Sequence, residues 1–275
     1  MENLIINFAP TGMIPTKKQT PYVPISPKEI IDDVSNSTKF GVSIAHLHAR
    51  DDQGAPTYRK EVYEEIIYGI REKHPDLILV TTTSGRNYNE FEKRSAVLEL
   101  TGDLKPDMAS LTLSSLNFPK TASINSPEMI LKLAEKMQNN GIKPELEVFD
   151  LGMINFAKYM IKKGLLTPPY YFNILLGNIS SAQAKLNHLA LLISELPDQS
   201  YYSLTGIGDT QKSMVGLGVL MADGVRIGLE DNIWLDKKKN ILAKNSDLLE
   251  RVVNLAKAYE RNIASPLEVK SKLKL

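Results

Sequence analysis

The 275-residue sequence contains no cysteine, which excludes disulfides, thiolate metal sites and a cysteine nucleophile. It also lacks any apolar run that approaches the roughly 20 residues of a membrane span. The opening stretch, MENLIINFAP, has no basic segment followed by a long apolar one, so it indicates a first strand and not a signal peptide. We therefore expect a cytoplasmic protein without a membrane partner.

An excess of charge of one sign is missing as well. The chain has 33 Lys and Arg against 32 Asp and Glu, and its one basic block is the run at 237–239. Nucleic-acid-binding domains usually carry a basic patch, so we expect no nucleic-acid partner and interpret the lysine run as a solvated turn. No linker or composition shift interrupts the sequence, which predicts a single domain over residues 1–275.

Short apolar runs alternate with helix-like segments along the whole sequence. Strands are predicted at 4–9, 42–48, 77–83, 108–113, 144–150, 170–176, 201–206 and 224–230. Helices are predicted near 26–39, 59–73, 89–99, 126–141, 151–164, 181–194, 211–222 and 246–262. Ser26 with Glu29 forms a capping-box pattern at the start of the first helix.

Strict alternation of strands and helices predicts parallel strands joined by crossover helices. Eight such units in roughly 250 residues are the size of a (β/α)8 TIM barrel, which is the fold class that we predict. A doubly wound open sheet is the alternative. The segment after the first strand, PTGMIPTKK, has neither the dinucleotide-binding nor the P-loop spacing, and this favours the barrel.

The stretch AHLHARDDQGAPT places two histidines at the end of the second predicted strand. His46 and His48 are two residues apart, so their side chains project from the same face of the strand. A divalent metal is a natural partner for paired imidazoles, and Glu230, at the end of the eighth strand, is the candidate third ligand. Two histidines and one carboxylate leave positions open, as a catalytic zinc site requires. A structural or surface histidine pair is the alternative, and His74 and His188 are predicted to be surface residues.

Further polar residues collect where strands end, which is where barrel enzymes place their active sites. Arg226 precedes Glu230 by four residues, so we expect both on one strand face. An inward arginine needs an anion, either a substrate carboxylate or the side chains of Glu147 and Asp231. Thr82 offers a hydroxyl near the end of the third strand, although threonine is also an ordinary strand residue.

Several motifs, in this order and spacing, resemble those of the β-keto acid cleavage enzymes, whose namesake is the 3-keto-5-aminohexanoate cleavage enzyme. They are HLHARDDQGAPT, KPDMASL, SLNF, KPELEVFDLGM, TGIGD and VRIGLEDN. The resemblance runs from LIINFAPTG to SPLEVKSKL, essentially the whole chain. It implies a zinc-binding (β/α)8 barrel, assembled as a homotetramer, that condenses a β-keto acid with acetyl-CoA. The products would be acetoacetate and the CoA ester of the shortened acid.

The resemblance also implies roles for individual residues. It identifies the metal ligands as His46, His48 and Glu230. It identifies the catalytic residues as Arg226, Asp231 and Glu147, and the substrate-binding residues as Thr82, Ser110 and Gly85. Thr82 stands where the family has a serine, and Ser110 stands where it has a threonine, so both positions keep a hydroxyl.

Three departures from the family pattern concern the substrates. Ile14 occupies the position at which the namesake enzyme has a glutamate that meets the substrate amine, so a cationic substrate is disfavoured and a more apolar or anionic tail is predicted. The segment LGNISS, residues 176–181, replaces a glycine-rich loop, and Asp209 and Thr210 stand where an arginine is frequent. These loops leave open a metal-dependent lyase or aldolase without CoA. A non-catalytic metal- or ligand-binding relative is a further alternative. The metal can also be another divalent ion than zinc.

Overall fold

Eight parallel strands close into a barrel in the computed structural model, which describes residues 2–275; Met1, the first residue of the predicted domain, lies outside them. The strands lie side by side in chain order, and the eighth pairs with the first. The predicted (β/α)8 barrel is therefore confirmed. The strands are β1 (Ile5–Phe8), β2 (Ile44–Leu47), β3 (Ile78–Thr81), β4 (Met108–Thr112), β5 (Lys143–Val148), β6 (Tyr170–Leu176), β7 (Ser200–Gly206) and β8 (Gly224–Ile227).

Within residues 2–275, eight helices, one after each strand, form the outer layer, and a ninth packs against the first residues of the strands. They are α1 (Pro27–Ser37), α2 (Lys60–Arg71), α3 (Phe91–Ser95), α4 (Pro127–Asn139), α5 (Leu151–Lys162), α6 (Leu186–Ser194), α7 (Gln211–Met221), α8 (Asn245–Ala258) and α9 (Pro266–Leu273). The capping box predicted at Ser26 and Glu29 is present at the start of α1. Across residues 2–275, no helix is both long and apolar enough to span a bilayer.

Several predicted boundaries differ from the structure for identifiable reasons. α3 is short and continues as a 3-10 turn at Ala96–Glu99. α6 begins at 186 and not at 181, because the Gln183 side chain donates to the backbone oxygens of Asn178 and Ser181 and holds that segment in a loop. A two-stranded hairpin, Leu116–Asn117 with Ala122–Ser123, and the closing helix α9 were not predicted.

The end of β8 requires the largest correction for the site. The sequence predicted a strand to 230 with Arg226 and Glu230 on one face, but β8 ends at Ile227. Gly228 has φ 155°, and a Cβ there would overlap the backbone of Ala9 on the neighbouring β1 segment. A turn that follows this close approach, and not strand alternation, therefore positions Glu230.

Apolar side chains fill the barrel at the end where the strands begin. The first residues of three strands, Ile5, Ile44 and Ile78, are buried with Val269 and Leu273 of α9. A second and larger apolar layer lies between the strands and the outer helices. Since one end is packed with hydrocarbon, a polar site has room only at the opposite end, where the strands terminate.

Asn245, the first residue of α8, links the ends of β1 and β8. Its Oδ1 accepts from Leu229 N at 2.9 Å, and its Nδ2 donates to Pro10 O at 3.1 Å and to Asp33 Oδ2 at 2.6 Å. Burial raises the pKa of Asp33 to about 6, although the Asn245 hydrogen bond opposes the shift. The ionised carboxylate is therefore tolerated in this network at a cost in stability.

Asp33→Asn is expected to stabilise the protein by about 1–2 kcal/mol at neutral pH, once the pKa shift is discounted for partial exposure. Since the folded pKa of about 6 lies above the ordinary value of 3.8 for an aspartate, wild-type stability falls as pH rises through that window. The advantage of the variant should thus grow with pH and vanish near pH 4. Urea unfolding from about pH 4 to 7.5 measures it.

Asp32→Asn is the matched control, because Asp32 is an exposed neighbour whose pKa is lowered by its bond to Lys28. It should give no gain that increases with pH. A pH-independent difference between Asp33→Asn and wild type would contradict the assignment.

Candidate active site

The two histidines at the end of β2 converge on one carboxylate. His46 Nε2 lies 3.3 Å from His48 Nε2, and His48 Nε2 lies 3.2 Å from Glu230 Oε1. Both imidazoles are buried, with 1% and 4% of their surface exposed. One ligand atom from each of the three residues falls within 4.8 Å of the others. The structure therefore brings together the three residues that the sequence predicted as metal ligands.

The donor atoms in this group fit a divalent metal. Glu230 Oε2 is buried and has no hydrogen-bond partner among residues 2–275, although a buried carboxylate oxygen is normally satisfied. Burial lowers the pKa of His48, which favours the neutral imidazole that a metal ligand needs. At His46 burial also lowers the pKa, but the charges of Glu145 and Glu230 together outweigh it and raise the pKa above its usual value. His46, Glu145 and Glu147 form a second group of adequate spacing. It fits less well, because a Glu145–His46 hydrogen bond already occupies two of its atoms.

Glu145, on β5, was not predicted as a site residue and orients His46 from behind. Its Oε2 lies 2.6 Å from His46 Nδ1, and its Oε1 accepts from Asn7 Nδ2 at 2.6 Å. Burial alone would raise the pKa of Glu145, but His46 and Arg226 hold it below the usual value. An ionised Glu145 accepts a hydrogen bond from His46 Nδ1–H, and this tautomer leaves the Nε2 lone pair directed toward His48. The signal in the sequence was a pair of glutamates two residues apart on one strand, Lys143–Val148.

Arg226, on β8, donates hydrogen bonds to three carboxylates. Its Nε donates to Asp231 Oδ2 at 3.0 Å, and its two terminal nitrogens reach Glu230 Oε1 at 2.7 Å and Glu147 Oε1 at 3.3 Å. The side chain is 2% exposed. Between its two predicted partners, the substrate carboxylate and the protein carboxylates, the structure favours the second. Arg226 therefore acts as the clamp that holds these acidic groups together.

Carboxyl groups outnumber guanidinium groups around Arg226. Four carboxylates, those of Glu145, Glu147, Glu230 and Asp231, act on this one guanidinium. Burial raises the pKa of Asp231, and the nearby Glu230 adds to the shift while Arg226 opposes it. Burial likewise raises the pKa of Glu147. An unbalanced cluster of this kind favours a bound divalent cation, which agrees with the unsatisfied Glu230 oxygen.

A cavity of about 390 Å³ opens above these groups at the carboxyl ends of the strands. Seven of the residues predicted for the site line it: Ile14, His48, Thr82, Glu147, Arg226, Glu230 and Asp231. Apolar side chains supply much of the remaining wall, among them Leu116 and Phe118 of the hairpin, together with Phe149. The hairpin that the sequence did not reveal therefore forms part of the binding space.

Two predicted substrate-binding residues do not line this cavity. Ser110 is 2% exposed, and its Oγ accepts from Thr83 N at 3.3 Å, so it holds the segment after β3. Thr112, two residues further along β4, lines the cavity and donates to Glu147 Oε2 at 2.6 Å. At Gly85, a Cβ would collide with the Ile124 carbonyl, so this glycine permits close packing of two loops.

The loops that depart from the family pattern make contacts of their own. Asp209 pairs with Lys239 at 3.0 Å on the surface. Asn178, in the loop after β6, donates to Asn117 O of the hairpin at 2.9 Å. The loop after β6 therefore supports the hairpin over the cavity.

A family model described as beta-keto acid cleavage enzyme matches residues 3–275. The chain belongs to this family. A 3-keto-5-aminohexanoate cleavage enzyme of Fusobacterium nucleatum is 39% identical over 100% of this chain and 99% of its own length. An enzyme of the same name from Acetoanaerobium sticklandii is 36% identical over 98% and 97%. A 3-oxoadipate:acetyl-CoA acetyltransferase of Cupriavidus necator is 32% identical over 98% and 94%. The resemblance identified from the sequence motifs is thereby confirmed, and the chain is an enzyme of this family.

Solved structures agree on the fold. The apo structure of ObcA superposes with a TM-score of 0.77 at 19% identity, covering 93% of this chain. This chain spans 66% of the ObcA chain, so the match concerns the barrel. At this identity, the likeness supports the (β/α)8 architecture alone.

Proposed function

We propose that this enzyme condenses a β-keto acid with acetyl-CoA, giving acetoacetate and the CoA ester of the shortened acid. Membership of the family over residues 3–275 supports the reaction class. Two relatives whose names include acetyl-CoA support it as the second substrate: the 3-oxoadipate:acetyl-CoA acetyltransferase and a 3-dehydrocarnitine:acetyl-CoA trimethylamine transferase of Rhizobium meliloti. The observation that carries the proposal is the cavity that places His48 and Glu230 beside an arginine-clamped group of carboxylates.

His46, His48 and Glu230 are the residues that would hold the metal, and we propose Zn²⁺ because two imidazoles and a carboxylate match its catalytic sites. When bound, the ion would supply Lewis acidity toward a substrate oxygen. Glu145 fixes the His46 tautomer through the 2.6 Å contact with Nδ1. Thr82 offers a hydroxyl to a substrate oxygen from the rim of the cavity.

Asp231 is the proposed base. It lines the cavity, and its contact with Arg226 Nε at 3.0 Å fixes its orientation. A carboxylate oxygen of Asp231 would take a proton from the methylene carbon between the keto group and the carboxylate of the substrate. The carbanion attacks the acetyl thioester, and the released CoA thiolate attacks the original keto carbon. The bond between the original keto carbon and the former methylene carbon then breaks. Acetoacetate leaves as an enolate, and Asp231 returns the proton to it.

The substrate that we propose has an uncharged or anionic tail. Ile14 lines the cavity at the position where the namesake family member carries a glutamate. The three carboxylates on the wall, Glu147, Glu230 and Asp231, all contact Arg226, and the free Glu230 oxygen belongs to the proposed metal site, so we assign none of them to a substrate ammonium group. We also propose a homotetramer in the cytoplasm. Exposed apolar side chains on α6 and α7, such as Leu186 and Met221, are suited to an interface between copies.

Steady-state turnover with and without acetyl-CoA tests the function. The substrates are 3-oxohexanoate, 3-oxoadipate and 3-keto-5-aminohexanoate, which have neutral, anionic and cationic tails. We expect acetoacetate and a new CoA ester in equal amounts, only with acetyl-CoA, and the lowest rate with the cationic substrate. Cleavage that proceeds equally well without acetyl-CoA would overturn the proposal in favour of a metal-dependent lyase.

A further inference from the structure

Arg86 is a cation on the cavity wall whose side chain makes no hydrogen bond or ion pair within residues 2–275. It lies in the loop after β3 and lines the cavity with Thr82 and Ser84. Among residues 2–275, its one hydrogen bond runs from its backbone N–H to Ser84 Oγ at 3.3 Å. The side-chain Nε is buried and has no partner. Burial lowers the pKa of Arg86, and the carboxylates of Glu230, Glu147 and Asp231 oppose that shift without contacting the guanidinium. The buried Nε therefore lacks the hydrogen bond that would offset its desolvation.

The other buried arginines near this site show what a satisfied guanidinium looks like here. Arg94 donates from Nε to Thr83 O at 2.9 Å, and from its two terminal nitrogens to Ile124 O at 3.0 Å and Asn125 Oδ1 at 2.6 Å. Arg226 reaches three carboxylates. Arg86 differs from both because its donors remain available to a ligand.

The guanidinium of Arg86 is held in a defined orientation. Its central carbon lies 3.5 Å from the centroid of the Phe118 ring, and Phe118 packs edge-on against Phe149 at 6.0 Å. Stacking occupies the face of the guanidinium and leaves its edge free to donate. Two parallel N–H groups at such an edge match a carboxylate. The hairpin residue Phe118 thus prepares Arg86 for an anion in the cavity.

We propose that Arg86 is the carboxylate receptor of the substrate, binding a carboxylate of the β-keto acid through the edge of its guanidinium. This inference rests on the proposed function and specifies which residue meets the substrate anion. Arg226 is not suited to that task, since its nitrogens already contact Asp231, Glu230 and Glu147. The carboxylate has two sources: the one beside the keto group, which every β-keto acid has, or a second one at the end of the tail.

Binding without turnover tests the receptor separately from the reaction. Calorimetry of the metal-loaded enzyme would compare 3-hydroxyhexanoate, which lacks the reactive ketone, with its neutral methyl ester. We expect Arg86→Gln to weaken binding of the acid by about 10–100-fold, because a charge-assisted hydrogen bond is lost, and to leave the ester unaffected. Arg86→Lys should bind the acid with intermediate affinity. Arg59→Gln removes an exposed arginine outside the cavity and serves as the charge-matched control.

Steady-state kinetics then distinguish the two carboxylates. If Arg86→Gln raises KM equally for 3-oxohexanoate and 3-oxoadipate, the receptor holds the carboxylate beside the keto group. If KM rises for 3-oxoadipate alone, the receptor holds the tail carboxylate, and the calorimetry is then repeated with 3-hydroxyadipate. If Arg86→Gln binds both hydroxy acids as tightly as wild type does, the proposal is overturned. It is also overturned if neither wild type nor the variant binds them. A rise in KM for acetyl-CoA alone would also overturn it. Because the binding result requires no turnover, it stands or fails independently of the reaction class.

Discussion

Arg226→Met is expected to lower the free energy of unfolding by about 3–5 kcal/mol, because it leaves buried carboxylates without their cation. Arg226 contacts Glu147, Glu230 and Asp231 while its own side chain is 2% exposed. Turnover should fall with stability, since Asp231 and Glu230 would lose their fixed positions. Urea unfolding and kcat of the purified variant measure both effects. If Arg226→Met does not fold, Arg226→Lys, which keeps the charge but loses the fork geometry, should show a smaller loss.

The pH dependence of this deficit has a definite sign. Removing the cation raises the folded-state pKa of Glu147 and Asp231, whose pKa values burial already raises. The folded variant then binds protons more tightly than the unfolded chain, so its deficit should shrink as pH falls from about 7.5 to 5. Arg251→Met is the control, because Arg251 is a half-buried arginine that donates to the Leu235 carbonyl and not to this cluster. A deficit that is constant with pH would contradict the electrostatic explanation.

His48→Ala is expected to abolish stoichiometric metal binding and to lower kcat about a thousandfold, which corresponds to several kcal/mol of lost Lewis-acid stabilisation. His48 Nε2 lies 3.3 Å from His46 Nε2 and 3.2 Å from Glu230 Oε1, so one of three converging donors would be lost. Elemental analysis after dialysis measures metal content, and chelator treatment of wild type should reproduce the loss until metal is restored.

Glu145→Gln provides a graded comparison with His48→Ala. It removes no ligand but replaces the acceptor that lies 2.6 Å from His46 Nδ1, and it should weaken metal affinity by about 10–100-fold. His74→Ala is the control, because His74 is distant in sequence from the converging donors and has no part in either candidate metal group. Full metal content in His48→Ala would refute the assigned ligand set.

Local rules in the sequence predicted the elements that they govern. The apolar runs identified all eight strands, and Ser26 with Glu29 formed the predicted capping box. Boundaries were less accurate where side chains compete with the backbone, as at Gln183, whose bonds delay the start of α6. The hairpin at 116–123 was missed, because two-residue strands have too short a pattern to be recognised.

The sequence by itself determined the barrel and the pairing of His46 with His48, because alternation of elements and a two-residue strand spacing are local properties. Only the tertiary structure decided that Glu145 meets His46 across the barrel, 99 residues away. It also decided that Arg226 is occupied by carboxylates while Arg86 is left without one. The physical reason is that a side chain's partners depend on barrel closure and on turns such as that at Gly228, and no local spacing in the chain encodes these.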